Sequence, residues 1–125
     1  MLNKITIMGR LTADPVLRYT QSNTPVTSFT VAVDRDFGGK EKQTDFFNCV
    51  AWRHTAEFVS KYFVKGDMAV VSGSMQMRNY EDKKGDKRTA WELLTESVYF
   101  GSTKRDKAAV NVEFEELPDE GDLPF

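Results

Sequence analysis

Four aromatic side chains stand beside cations in an arrangement that suits one kind of chemistry. Phe37 lies between Arg35 and Lys40, next to Gly38-Gly39. Phe46 and Trp52 are six residues apart in an apolar segment, so in an extended chain they share a face. Arg53 follows Trp52. Tyr80 has the parity of Gln76 and Arg78, and the residues after it include Lys83, Lys84, Lys87 and Arg88. Every nucleobase has a π-face, so rings flanked by cations hold single strands without reading sequence, at roughly 1–3 kcal/mol per stacked base. Taken singly, each ring has an ordinary reading too. Phe46, Phe47 and Trp52 are as compatible with a core, and Tyr80 with a surface tyrosine. The basic turn also holds Glu81, Asp82 and Asp86. Trp91 reads as a packing or rim residue.

Other chemistry fits poorly. His54 is the one histidine, and it falls at the start of a helical pattern, where a structural or interface role suits it. The chain has no Gly-rich phosphate loop, no Cys-x-x-Cys and no His-Glu-x-x-His. Acids in the body are scattered among bases, and a flexible acidic end cannot hold metal geometry. No catalytic residue, metal or cofactor is expected, and the chain reads as no enzyme. Cys49 is the single cysteine, which excludes an internal disulfide and points to a reducing cytosol. The start alternates apolar and polar residues like a strand rather than a secretory signal.

Period-two alternation sets the elements that must position the rings. Ile5 to Leu11 reads as a strand with Gly9 at a bend or bulge. Asp14-Pro15 marks a turn. A second strand follows Pro25, with Phe29, Val31 and Val33 in phase, and Thr44 to Trp52 forms a third. From His54 to Lys65, Ala56, Val59 and Phe63 recur at helical spacing, with Gly66 expected at the C′ position. Met68 to Tyr80 and Arg88 to Phe100 pair across a charged turn around Gly85. Five long strands with one short helix between the third and fourth close most economically as an all-β, five-stranded OB-fold barrel.

With 125 residues there is material for one domain. The total charge of −2 hides a division. Residues 113–125 hold six acids and no base, leaving 17 basic against 13 acidic residues, a net +4, in the rest. The expected layout is an OB-fold single-strand-binding barrel over 1–101, a short linker over 102–112 and a disordered acidic C-terminal tail over 113–125.

At this level of detail the sequence resembles the bacterial-type single-stranded DNA-binding protein family. The resemblance is carried by Asn3-Lys4-Ile5-Thr6-Ile7-Met8-Gly9-Arg10-Leu11, Asp14-Pro15, Leu17-Arg18-Tyr19, Thr27 to Arg35, Gln43 to Phe47, Phe58 to Gly66, Gly73 and Arg78-Asn79-Tyr80. It implies an OB barrel, usually a homotetramer. Its base-stacking positions fall on Phe37, Phe46, Trp52 and Tyr80. Phe47 stands where the family often has a dimer-interface histidine. The acidic end closing in Leu123-Pro124-Phe125 resembles the family's docking peptide, so Asp119, Glu120, Asp122, Leu123, Pro124 and Phe125 are expected to dock replication, recombination and repair proteins. The brevity of the linker points to a phage- or plasmid-encoded version, cytoplasmic and nucleoid-associated during replication.

These readings combine into one expectation: a sequence-nonspecific protein that coats and protects single-stranded DNA. Arg10, Arg18, Arg35, Arg53, Arg78, Lys83, Lys84, Lys87 and Arg88 are the candidates for phosphate contact. Two rivals stay open, an OB-fold module that binds RNA and a protein-interaction subunit that no longer binds DNA.

Overall fold

A computed structural model of the chain describes residues 1–36 and 40–102. Its elements run β1 (Ile5–Leu11), β2 (Arg18–Tyr19), β3 (Pro25–Asp34), β4 (Thr44–Trp52), α1 (Arg53–Tyr62), β5 (Met68–Glu81) and β6 (Lys87–Ser102). The strands join in the order β1-β5-β6-β4-β3, and a further β1–β3 pairing closes the ring. β2 adds itself outside, on β3. β4 and β6 run parallel, at Cys49↔Leu93 and Val50↔Leu94. A parallel pair needs a long crossover. Here α1 and β5 provide it.

Alternation selects the barrel interior. Phe29 and Val31 of β3, Cys49 and Ala51 of β4, Ala69 and Val71 of β5, and Leu93 of β6 are buried, while their strand neighbours face out. Burial pushes the Cys49 thiol up to about 12, so it stays protonated in the core. Phe47 also faces inward and is partly buried against this core.

β1 serves two neighbours. It pairs with β5 from Ile5 to Arg10 and with β3 at Arg10↔Ala32 and Leu11↔Val31. At the crossing, a side chain on Gly9 would collide with the backbone carbonyl of Ala32 and meet Val31 Cγ1 at 2.8 Å. Close backbone approach is therefore why glycine stands there. The register irregularities lie elsewhere, in the β5–β6 pair: Met68 pairs with Ser102 and Ala69 with Phe100, leaving Gly101 unopposed, and Ser72 pairs with Ser97 and Gly73 with Thr95, leaving Glu96 unopposed.

The helix is shorter than its sequence pattern. It ends at Tyr62, with Phe63 extended at φ −114° and ψ 141°. Two interactions stop it. Phe63 turns inward to stack on Phe100, with ring centroids 4.5 Å apart. The Asp67 carboxylate then accepts the Val64 N–H at 2.9 Å. Gly66 is consequently not a helix cap. It occupies a separate turn, at φ 91°, in which the Asp67 N–H donates to the Val64 carbonyl at 3.1 Å. Glycine suits the left-handed position of such a turn. Hydrogen bonds from Gly66 N–H to the Leu11 carbonyl and from Leu11 N–H to the Asp67 carbonyl fasten it to β1.

Candidate nucleic-acid interface

The outward phase of β4 is Phe46, Asn48, Val50 and Trp52, because Phe47, Cys49 and Ala51 point in. The parallel register sets Val50 beside Leu94, so the outward phase of β6 continues the same surface through Glu92 and Ala90. Antiparallel pairing carries it on to β5, where Gln76 lies opposite Glu92, Arg78 opposite Ala90 and Tyr80 opposite Arg88. Three of the four rings singled out by sequence therefore lie on one outer face. Phe46 is 65% exposed, Trp52 40% and Tyr80 41%. Phe46 and Trp52 are six positions apart on the strand, about 20 Å. Phe37 lies outside the described residues.

Cross-strand rows give two of these rings an arginine. Trp52 pairs with Val26, and Val26 pairs with Arg18 of β2. Phe46 pairs with Ala32, and Ala32 pairs with Arg10 of β1. Adjacent strands are about 4.8 Å apart, so each ring and its arginine bracket a gap of about 10 Å floored by one small apolar residue. Tyr80 has its cation directly: the Arg78 guanidinium lies 5.5 Å from the ring centroid. β2, the element that sequence periodicity missed, is what brings Arg18 into the first row. A two-residue strand shows no period. The signal for it is the polar run Gln21 to Thr24 between Arg18-Tyr19 and Pro25-Val26, with Asn23 at φ 64° as the turn residue.

The cations divide by partner. Arg35 binds Asp45 through two hydrogen bonds, at 3.0 and 2.9 Å, and Gln43 at 2.7 Å. These bonds hold the Asp45 carboxyl below the usual carboxylate range. Arg78 pairs with Glu92 at 3.0 Å, and Arg88 with Asp82 at 3.0 Å. Asp82 is lowered too, first by Arg88 and then by the backbone N–H of Asp86, since this one carboxylate also organises the turn that follows β5. The Arg10 guanidinium donates to the Gly66 carbonyl at 2.9 Å, which draws it toward the turn after α1. Arg18, Arg53, Lys83, Lys84 and Lys87 are exposed and form no ion pair among the described residues. Exposed pairs contribute only about 0.2–1 kcal/mol, so an incoming phosphate can compete for Arg35, Arg78 and Arg88.

Arg53 is placed by an unusual backbone. Trp52 ends β4 in extended geometry and Arg53 begins α1 at φ 57°. A left-handed non-glycine residue costs roughly 1–2 kcal/mol. The bend lets Trp52 remain on the sheet face while the chain turns at once over the barrel end. His54 follows on the exposed first turn of the helix. Trp91, read from its place near the start of the last strand as a packing or rim residue, is 57% exposed, and Met77 opposite it is 55% exposed.

Among the described residues no group of three or more His, Cys, Asp or Glu is placed to hold a metal ion. No helix among them is long and apolar enough to cross a membrane. The arrangement offers planar apolar rings, arginines at ring distance and unpaired lysines, which together suit a negatively charged polymer with stacked flat groups. Asp119, Glu120, Asp122, Leu123, Pro124 and Phe125 lie outside the described residues.

Comparison with known proteins agrees with this surface. The single-strand binding protein family matches residues 2–101. Single-stranded DNA-binding protein 2 of Listeria monocytogenes is 47% identical over 102 residues, covering 80% of this chain and 64% of the relative. Single-stranded DNA-binding protein A of Bacillus subtilis is 46% identical over 102 residues, covering 80% and 59%. Single-stranded DNA-binding protein 1 of Streptococcus pyogenes is 38% identical over 130 residues, covering all of both chains. The chain thus spans about three fifths of the length of the first two relatives. With the closed five-stranded barrel and the ring-bearing outer face, these matches make the chain a member of the single-strand binding protein family.

Proposed function

We propose that the chain binds single-stranded DNA without sequence preference, coating and protecting it in replication, recombination and repair. The observation that carries this reading is the convergence of Phe46, Trp52 and Tyr80 on one exposed face, each with an arginine in its row or over its ring. The bases stack on the rings and the phosphates meet the cations. Phe37 is the fourth stacking ring in this reading. Arg10, Arg18, Arg35, Arg53, Arg78, Lys83, Lys84, Lys87 and Arg88 supply the phosphate contacts. No step of chemistry is involved.

The protein acts as a homotetramer in this proposal. Two features support association of copies. The β1 edge opposite β5 is paired only at Arg10 and Leu11, which leaves the stretch before them open for another strand. The outward row Met8–Val70–Tyr99 also exposes Met8 at 57% and Tyr99 at 60%. Native mass spectrometry of the full chain, alone and mixed with poly-dT, poly-U and duplex of equal length, reads assembly and preference together. Four chains per particle and preferential uptake of poly-dT are expected. Affinity should fall with salt at a slope of about −0.7 per neutralised phosphate, so about −3.5 if the five unpaired cations each take one. Preference for duplex would contradict the reading, and preference for poly-U would favour the RNA-binding rival.

The C-terminal tip recruits partner proteins in the same proposal. Its sequence supports this: a terminal Phe125 with its carboxylate suits an apolar pocket rimmed by Arg or Lys, and Asp119, Glu120 and Asp122 speed the encounter. Deleting residues 122–125 should leave poly-dT affinity equal or slightly higher while abolishing capture of replication and repair proteins. Loss of DNA binding in that variant would show that the tip has a different role.

A further inference from the structure

β5 and β6 run beyond the barrel as a two-stranded arm, and alternation gives that arm two faces. Arg78, Tyr80 and Arg88 stand on the front, continuous with the outer barrel surface. Met77, Thr89 and Trp91 stand on the back. Met77 and Trp91 keep the inward phase of Met75 and Leu93, but they lie past the barrel rim, where no core covers them. Leu93 is 0% exposed and Trp91, two residues earlier, 57%. Trp91 is therefore more open than Trp52 at 40%.

We propose that Trp91 is an additional base-stacking position on the back of the arm, reached by single-stranded DNA that leaves the front face and wraps around the arm. The proposal rests on the reading that the outer face binds single-stranded DNA. Three observations favour this occupant. An open cleft of about 410 Å³ at the outer end of the arm is lined by Tyr80 and Arg88 from the front and by Asn79, Glu81, Lys87 and Thr89 from the back, with Glu81 as its one carboxylate. The two faces thus share one continuous surface. Lys83, Lys84 and Lys87 are exposed at the turn and have no ion-pair partner among the described residues, so a phosphate chain rounding the arm meets cations along the way. The arm is one layer thick, and rings on its two sides stand about 10 Å apart, a span that a few nucleotides bridge. A second copy's arm fits less well, because it would set the same three lysines against each other.

The two tryptophans make the test direct. Trp52→Phe leaves Trp91 as the single indole, and Trp91→Phe leaves Trp52. Each full-length variant is titrated with a long dT oligomer while its fluorescence is followed. Both indoles should be quenched at saturation, Trp91 by at least half. Trp91→Ala should weaken dT binding about 5- to 150-fold, the equivalent of one stacked base. Quenching of Trp52 with Trp91 unchanged would overturn the proposal and leave the front-face reading standing. Absence of quenching at both indoles would overturn the front-face reading itself. Trp91 emission that moves to the blue with protein concentration, before any DNA is added, would show that another copy covers the ring, and would also overturn the proposal.

Discussion

Replacing Trp52 and Tyr80 together by alanine is expected to weaken poly-dT binding about 30-fold or more, because each stacked base contributes roughly 1–3 kcal/mol. The fold should survive, since the two rings are 40% and 41% exposed and neither belongs to the core. The two positions sit on different strands, at opposite ends of the face, so their losses should add. Tyr80→Ala also removes the ring under Arg78, which frees that guanidinium to pair with Glu92 alone. Equilibrium binding of dT oligomers, with circular dichroism as the check on folding, measures both parts. Unchanged affinity in a folded double variant would remove stacking from the account.

The second large effect is on the barrel. At Gly73 an added Cβ would collide with the Leu94 carbonyl, and it would meet Leu94 C at 2.9 Å and Leu93 Cδ2 at 3.0 Å. The obstacle is backbone, and it sits where the register shifts around Glu96. β6 cannot yield without disturbing the β4–β6 pairing at Cys49↔Leu93 and Val50↔Leu94, nor β5 without disturbing its ladder to β1 at Ile5↔Gly73. Gly73→Ala should therefore cost about 3 kcal/mol, the upper part of the usual overpacking range. For a domain of this size the melting temperature should fall by roughly 10–20 °C. A melting temperature within a degree or two of the parent would mean that β6 moves aside freely at the bulge.

The barrel was legible in the sequence because its strands are long and half-buried. Ile5–Leu11 and Thr44–Trp52 have the same bounds by alternation and by structure. The end of the helix was not legible. Helical spacing continues through Phe63, but the stacking partner Phe100 is distant in sequence and the competing acceptor Asp67 lies beyond the pattern. The outward phase of Phe46 and Trp52 was readable as parity, yet parity alone could not say which face was core. Trp91 shows the limit from the other side. It is in phase with buried Leu93 and Thr95, so counting places it inward. Its exposure follows from strand length, because β6 begins before the barrel does. The pairs Arg35–Asp45, Arg78–Glu92 and Arg88–Asp82 were hidden for a related reason: cross-strand partners are fixed only once register is known.

The account stands on the claim that the outer surface shared by β3, β4, β6 and β5 is where single-stranded DNA lies. Photo-crosslinking of a dT oligomer to the full-length protein, followed by peptide mass spectrometry, tests it most directly. Adducts are expected at Phe46, Trp52 and Tyr80, with Met8 and Tyr99 on the β1–β5–β6 side unmodified. Adducts concentrated at Met8 and Tyr99, with those three rings unmodified, would contradict it.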